Sequence, residues 1–193
     1  CPTCRKKSSF QFADLHFSFP YFNKTGSKET ISDDFGTEWR NRLLLSPYFG
    51  VEDWTKELSK DNKQLIFSVP EAANIVRKLS LKSFEGGYKV MVIWMAEMIG
   101  EGVANKLLKI VEEPPANTLF FFVANSSENI LNTILSRVQV IQVPKIDEAS
   151  ISAGLKHLGV DDQKIPDIAH YSDGSWDVAL RLRDNNDPNE FLA

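Results

Sequence analysis

The residue types most able to do chemistry sit at a few places in this sequence. Cys1-Pro2-Thr3-Cys4 is a Cys-x-x-Cys hook, and thiolates at that spacing can share one Zn²⁺. A closed tetrahedral zinc site needs four ligands, so Cys1 and Cys4 make half of one. His16 is a candidate third ligand, but it alternates with Asp14 and Ser18 along a strand and reads as a surface histidine. The competing reading of the cysteines is a pair of free thiols on a frayed end. A redox-active dithiol would call for a thioredoxin-like context, and none follows. Glu112 and Glu113 resemble an acid–base pair of carboxylates. They close a helix beside Pro114 and Pro115, however, and read as residues that position a turn. Ser136-Arg137 places a guanidinium, permanently charged and with forked donors, directly ahead of an apolar run.

The elements that must hold these residues follow from apolar spacing. Alternation over 14–19 gives a half-buried strand closed by Pro20, followed by a polar loop over 21–34. An aromatic-rich helical stretch spans 35–58, broken at Ser46-Pro47, with Trp39, Tyr48, Phe49 and Trp54 packing it onto a sheet. A second strand over 64–69 precedes a helix opened by Pro70-Glu71, whose buried face carries Ile75, Val76 and Leu79. Gly86-Gly87 turns into the strongest strand signal, 88–94, a nearly continuous apolar run expected to be buried on both faces. A helix over 103–111, a strand over 118–124 with Phe120 to Phe122, following Leu119, in the core, a short helix at 127–131 and a strand over 138–143 complete the series. Strands alternating with helices predict an α/β fold with a parallel sheet. Beyond Pro144 three helical segments, 147–158, 162–171 and 175–183, follow without a strand between them. The expected division is therefore an α/β core over 1–144 and a small helical domain over 145–193.

With 193 residues, 42% hydrophobic and 25% charged, the chain is long enough for a real core and ordinary for a globular protein. A net charge of −4 gives no chain-wide footprint for nucleic acid, so any DNA contact would be local or shared with more basic partners. No apolar run approaches the ~20 residues needed to span a bilayer, and a soluble, cytoplasmic protein without membrane partners is expected. The sequence opens on cysteine in mid-motif and reads as a piece of a longer chain.

The segment Asn105-Lys106-Leu107-Leu108-Lys109-Ile110-Val111-Glu112-Glu113-Pro114-Pro115 closely resembles the Asn-x-Leu-Leu-Lys-x-x-Glu-Glu-Pro-Pro box of clamp-loader ATPase subunits. Downstream, Asn125-Ser126-Ser127 and then Thr133-Ile134-Leu135-Ser136-Arg137 look like that family's Thr-Ile-x-Ser-Arg-Cys motif, with Val138 in place of the cysteine. By this resemblance the chain is identified as a member of the AAA+ clamp-loader family of bacterial DNA polymerase III, most similar to its delta-prime branch. What the resemblance implies is a P-loop NTPase-like core with a helical lid, a P-loop and an oligomerising collar lying outside this stretch, and a four-cysteine zinc module of which Cys1 and Cys4 are the last two ligands.

The departures from the family pattern matter as much. Trp94 and Met95 stand where an active ATPase carries the acidic pair that holds Mg²⁺ and orients water. Glu97 lies further on and reads as a solvated loop residue. Asp177, within Gly174-Ser175-Trp176-Asp177, replaces an arginine that would reach the γ-phosphate, and an anion there repels phosphate. No ATP hydrolysis by the chain itself is expected. The implied role is a non-catalytic subunit of the polymerase holoenzyme. It would dock against gamma/tau and delta subunits and help load the sliding clamp onto primer–template DNA. Ser136 and Arg137 would be presented in trans, Arg137 as an arginine finger for a neighbour's ATP. Two rivals remain: an ATPase-active subunit with unorthodox residues, and a zinc-dependent nucleic-acid-binding domain. ATP turnover separates the first, and salt-dependent DNA binding the second.

Overall fold

The computed structural model describes residues 10, 12–23, 29–58, 64–84 and 86–184. They fall into two compact units, one drawn from the described residues within 1–47 and 51–140, the other from those within 48–50 and 141–184.

In the first unit β1 (Leu15–Ser18), β2 (Lys89–Trp94) and β3 (Thr118–Val123) form a parallel sheet in that order. Leu15 lies opposite Val90, and Val90 opposite Leu119. The α/β class expected from the alternation of elements is the one observed. Between β1 and β2 the chain makes α1 (Gly36–Leu45), α2 (Val51–Leu58) and α3 (Val69–Ser80). Between β2 and β3 it makes α4 (Glu101–Glu112), and α5 (Asn132–Leu135) follows β3. Helix α3 starts where Ser68 is extended and Pro70 sits in the first turn, a position that needs no N–H. Its residues Ala72, Ile75 and Leu79 share one face, and Val103, Ala104, Leu107 and Ile110 do the same on α4. Both faces close on Met91 and Ile93, which are fully buried. Pro114 drives Glu113 out of helical geometry (φ −124°, ψ 73°), and α4 stops there.

Buried polar groups pin this unit at its joints. The Glu71 carboxylate, fully buried at the start of α3, accepts from Ser18 Oγ at 2.7 Å, Ser32 N at 2.7 Å and Ser32 Oγ at 2.6 Å. It thereby ties β1 and the turn Ser32–Phe35 to α3. Lys89 Nζ donates to the carbonyls of Leu79 and Leu81, satisfying the open end of α3. Asp14 accepts from Ser83 Oγ and Phe84 N, each at 2.9 Å. Trp39 stacks on Phe19 with centroids 4.2 Å apart, and buried Trp54 donates to the Pro20 carbonyl at 2.8 Å. Trp39 and Trp54 thus pack α1 and α2 onto β1, as their aromatic content suggested.

Four expectations about this unit are corrected. Residues 64–69 hold only an isolated antiparallel bridge, Ile66 to Tyr21. The stretch 138–143 is not a strand: apolar spacing marks a side-chain pattern, but a strand exists only through a neighbour's hydrogen bonds, and β3 is bonded to β2 alone among the described strands. On β3, Phe120 and Phe122 pack on the core while Leu119 and Phe121 are exposed, because successive side chains point to opposite faces. For the same reason β2 buries Met91 and Ile93 completely but leaves Val90, Val92 and Trp94 half-buried.

The second unit is helical: α6 (Glu148–His157), α7 (Ile165–Tyr171) and α8 (Trp176–Asp184). Its core is Ile151, Leu155, Ile165, Ile168, Ala169 and Ala179. Asp147 caps α6 by accepting from Ser150 N at 2.8 Å, and hydrogen bonds from Ser150 lower its pKa. Tyr48 belongs to this unit, its ring 6.4 Å from that of Trp176. Gly174 has φ +76° with Ile146 and Lys145 against it, so no larger side chain fits.

Candidate functional site

Helix α5 is a single turn, held by Ile134, which is buried in the first core. Its end is tightened by Ser136 N donating to Asn132 O and Arg137 N to Ile134 O, each at 3.0 Å. Val138 then turns inward and packs on that core. Arg137 is left between two anchored residues, with its side chain at the surface.

The guanidinium is well satisfied. Its Nη1 donates to Thr133 O at 2.8 Å and Ser136 Oγ at 3.0 Å. Nε donates to Glu112 Oε1 at 2.6 Å, and Nη2 stands 2.5 Å from the same oxygen. Side-chain exposure is 30% for Arg137 and 47% for Glu112, so water reaches both. Ser136 acts here as an acceptor that orients the arginine. The structure brings Ser136 and Arg137 together, and it adds Glu112 to them. The two carboxylates ending α4 are thus not a turn device alone: Glu112 is the ion-pair partner of Arg137. Nothing in local spacing connects residues that far apart. The one available signal was that the most distinctive motif in the chain contains this glutamate.

At the C-terminal ends of β2 and β3 the chain has other chemistry. Trp94 lies against Trp39, with centroids 5.3 Å apart. Met95 is buried in left-handed backbone (φ 59°), an unusual conformation for a residue with a side chain. Asn125 Nδ2 meets Met95 Sδ at 3.5 Å, and Asn125 N donates to Glu97 Oε1 at 3.1 Å. Glu97 is therefore not a solvated loop residue: it links the ends of two strands. In the second unit Asp177 pairs with Arg181 one turn later at 2.8 Å.

His16 is also placed differently from expectation. It is half-buried on β1 and lines a cavity of about 250 Å³ with Phe17, Asp33, Arg40 and Lys78. Burial, with Lys78 nearby, lowers its pKa. Cys1 and Cys4 lie outside the described residues. Among the described residues no three His, Cys, Asp or Glu side chains gather closely enough to hold a metal ion. No helix among them is long and apolar enough to cross a membrane.

Comparison with known proteins adds the context. A family model described as DNA polymerase III, delta subunit, matches residues 1–147. The chain is 40% identical over 84 residues to DNA polymerase III subunit delta' of Haemophilus influenzae, covering 44% of this chain and 25% of that one. It is 32% identical over 83 residues to the Escherichia coli subunit delta', covering 43% and 25%. It is also 30% identical over 122 residues to DNA polymerase III subunit tau of Bacillus subtilis, covering 60% and 22%. The aligned stretches thus take in about a quarter of each relative's length.

Proposed function

This chain belongs to the DNA polymerase III delta-subunit family, and from that premise we propose that it acts as a non-catalytic, delta-prime-like clamp-loader subunit. In this reading it is an AAA+ module of the cytoplasmic replication machinery. It docks beside gamma/tau and delta subunits, and the assembly places the sliding clamp on primer–template DNA. Its own contribution to ATP hydrolysis is Arg137, lent to a neighbour. In the full-length chain Cys1 and Cys4 supply two thiolates to a zinc site, which metal content of the wild type against a C4S variant would reveal.

The observation that carries the reading is the mounting of Arg137. A guanidinium on a flexible loop is a poor transition-state donor, because catalysis by charge demands donors fixed in advance. Arg137 instead follows a helical turn fastened by Ile134 and is oriented by Thr133 O and Ser136 Oγ, while its side chain still meets solvent. The absence of a catalytic role for the chain itself is supported by the end of β2. There an indole and a thioether occupy the ground where phosphoryl transfer calls for carboxylates. Glu97 is engaged by the Asn125 backbone.

The test is Arg137→Ala in a loader reconstituted with the full-length chain. An arginine finger is worth ~10³–10⁵ at its own site, so hydrolysis at one interface should fall nearly silent while the others continue. The melting temperature of the subunit should barely move, since a surface pair contributes about 0–1 kcal/mol. Undiminished DNA-stimulated hydrolysis and clamp loading would sink the proposal.

A further inference from the structure

The contacts of Arg137 divide into two groups with different prospects. On one side Nη1 is held by Thr133 O and Ser136 Oγ, both on the turn that carries the arginine. On the other side Nε and Nη2 share Glu112 Oε1, on the last residue of α4. A guanidinium has five N–H donors. The hydrogen bonds above occupy three of them, that of Nε and both of Nη1, and Nη2 lies 2.5 Å from the Glu112 oxygen that Nε already holds, so neither forked edge is free. A forked, two-bond grip on a phosphate therefore cannot form while Glu112 is in place.

We propose that Glu112 is the counter-ion that holds Arg137 in reserve, and that the arginine reaches a neighbour's triphosphate by exchanging the Glu112 carboxylate for phosphate oxygens. This rests on the finger reading given above. The Nη1 contacts keep the arm oriented throughout, and the Nε–Nη2 edge is the part that changes partner. Three features make the exchange feasible. Both side chains are exposed, so the pair is weak, worth about 0.2–1 kcal/mol. Glu112 is nearly half exposed and returns to water when released, so no buried charge is orphaned. A carboxylate at the C-terminal end of α4 sits at the negative end of the helix dipole, and Arg137 offsets that repulsion only until a more highly charged phosphate arrives. Glu112 is thus a positioning residue: it acts on Arg137 and touches no substrate.

The test uses a loader built with the full-length chain and with the other ATP sites silenced, so that turnover reports the interface served by Arg137. Glu112→Gln keeps the size and removes the charge. It should lower the ATP concentration for half-maximal turnover by about 1.4- to fivefold, the range a surface pair spans, with kcat retained. Glu112→Asp, which keeps the charge on a shorter arm, should fall between wild type and Glu112→Gln. Arg137→Ala in the same loader separates the failures. If it leaves turnover intact, the finger reading is wrong, and this inference goes with it. If it silences the site while Glu112→Gln leaves half-saturation unchanged or lowers kcat, the finger stands and the exchange is refuted. If Glu112→Gln and Glu112→Asp move half-saturation equally, packing and not charge is responsible, and the exchange is refuted again.

Discussion

Two glutamates in the first unit each collect hydrogen bonds from a distant part of the chain, yet they do opposite work. Glu71 is sealed from water, and its three donors come from β1 and from the turn Ser32–Phe35. Glu112 meets one guanidinium and stays nearly half exposed. In the first case release is forbidden, because the charge and its donors would all be stranded without water. In the second it is cheap, because water replaces whatever partner leaves. Burial, more than the number of hydrogen bonds, decides whether a carboxylate fastens a fold or holds a partner that can be exchanged.

The strongest way to break this comparison is Glu71→Ala. It would leave Ser18 Oγ, Ser32 N and Ser32 Oγ as buried donors without their acceptor, at about 1–3 kcal/mol for such a group. We expect a loss of about 3 kcal/mol in urea unfolding of the full chain, a large part of the margin of a typical domain. A loss near that of an ordinary surface substitution would mean that Glu71 is not the joint it resembles.

A second test concerns pH in the same region. Burial pushes the Tyr21 hydroxyl up from 10.0 to about 12, with the Glu71 charge adding in the same direction. Tyr21 also shares a 2.6 Å hydrogen bond with Ser68 Oγ, three residues before Glu71. The unfolded chain loses this proton first, so ionisation favours unfolding. The stabilisation is complete below pH 10 and is lost as pH rises toward 12. Tyr21→Phe should flatten that alkaline limb in pH-dependent melting. If the limb is unchanged, the loss belongs to other groups, and the Glu71 region is no more pH-sensitive than the surface.

How much of this was legible in the sequence follows from the range of each interaction. The parallel sheet holding β1, β2 and β3 was legible in apolar runs separated by helical spacing, α3 in Pro70 and the face of Ile75, Val76 and Leu79, and α4 in its span and its stop at Pro114. Those signals are local. The failures were all non-local. Residues 138–143 have strand spacing but, among the described residues, no hydrogen-bonded strand neighbour, Leu119 and Phe121 have core character but are exposed, and Glu97 found the backbone N–H of Asn125 just beyond β3. The candidate site was half legible. Ser136 and Arg137 were visible as a motif, whereas Glu112 was read only as the end of a helix, since folding alone brings α4 beside α5.

The smallest expected effect is also the most diagnostic of the difference between the two glutamates. A double-mutant cycle of Glu112→Gln and Arg137→Ala on the full-length subunit alone measures the coupling of the pair, free of any loader partner. For an exposed pair it should be about 0.2–1 kcal/mol at low salt. Because both side chains are reached by water, added ions should screen it, and at ~1 M salt, where the Debye length is about 3 Å, little should remain. The loss from Glu71→Ala should hardly change over the same range, since its donors are neutral hydroxyls and a backbone N–H in a site that salt does not enter. A coupling between Glu112 and Arg137 of several kcal/mol, or one that survives high salt, would make that pair a fixture of the fold and remove the physical basis for exchange.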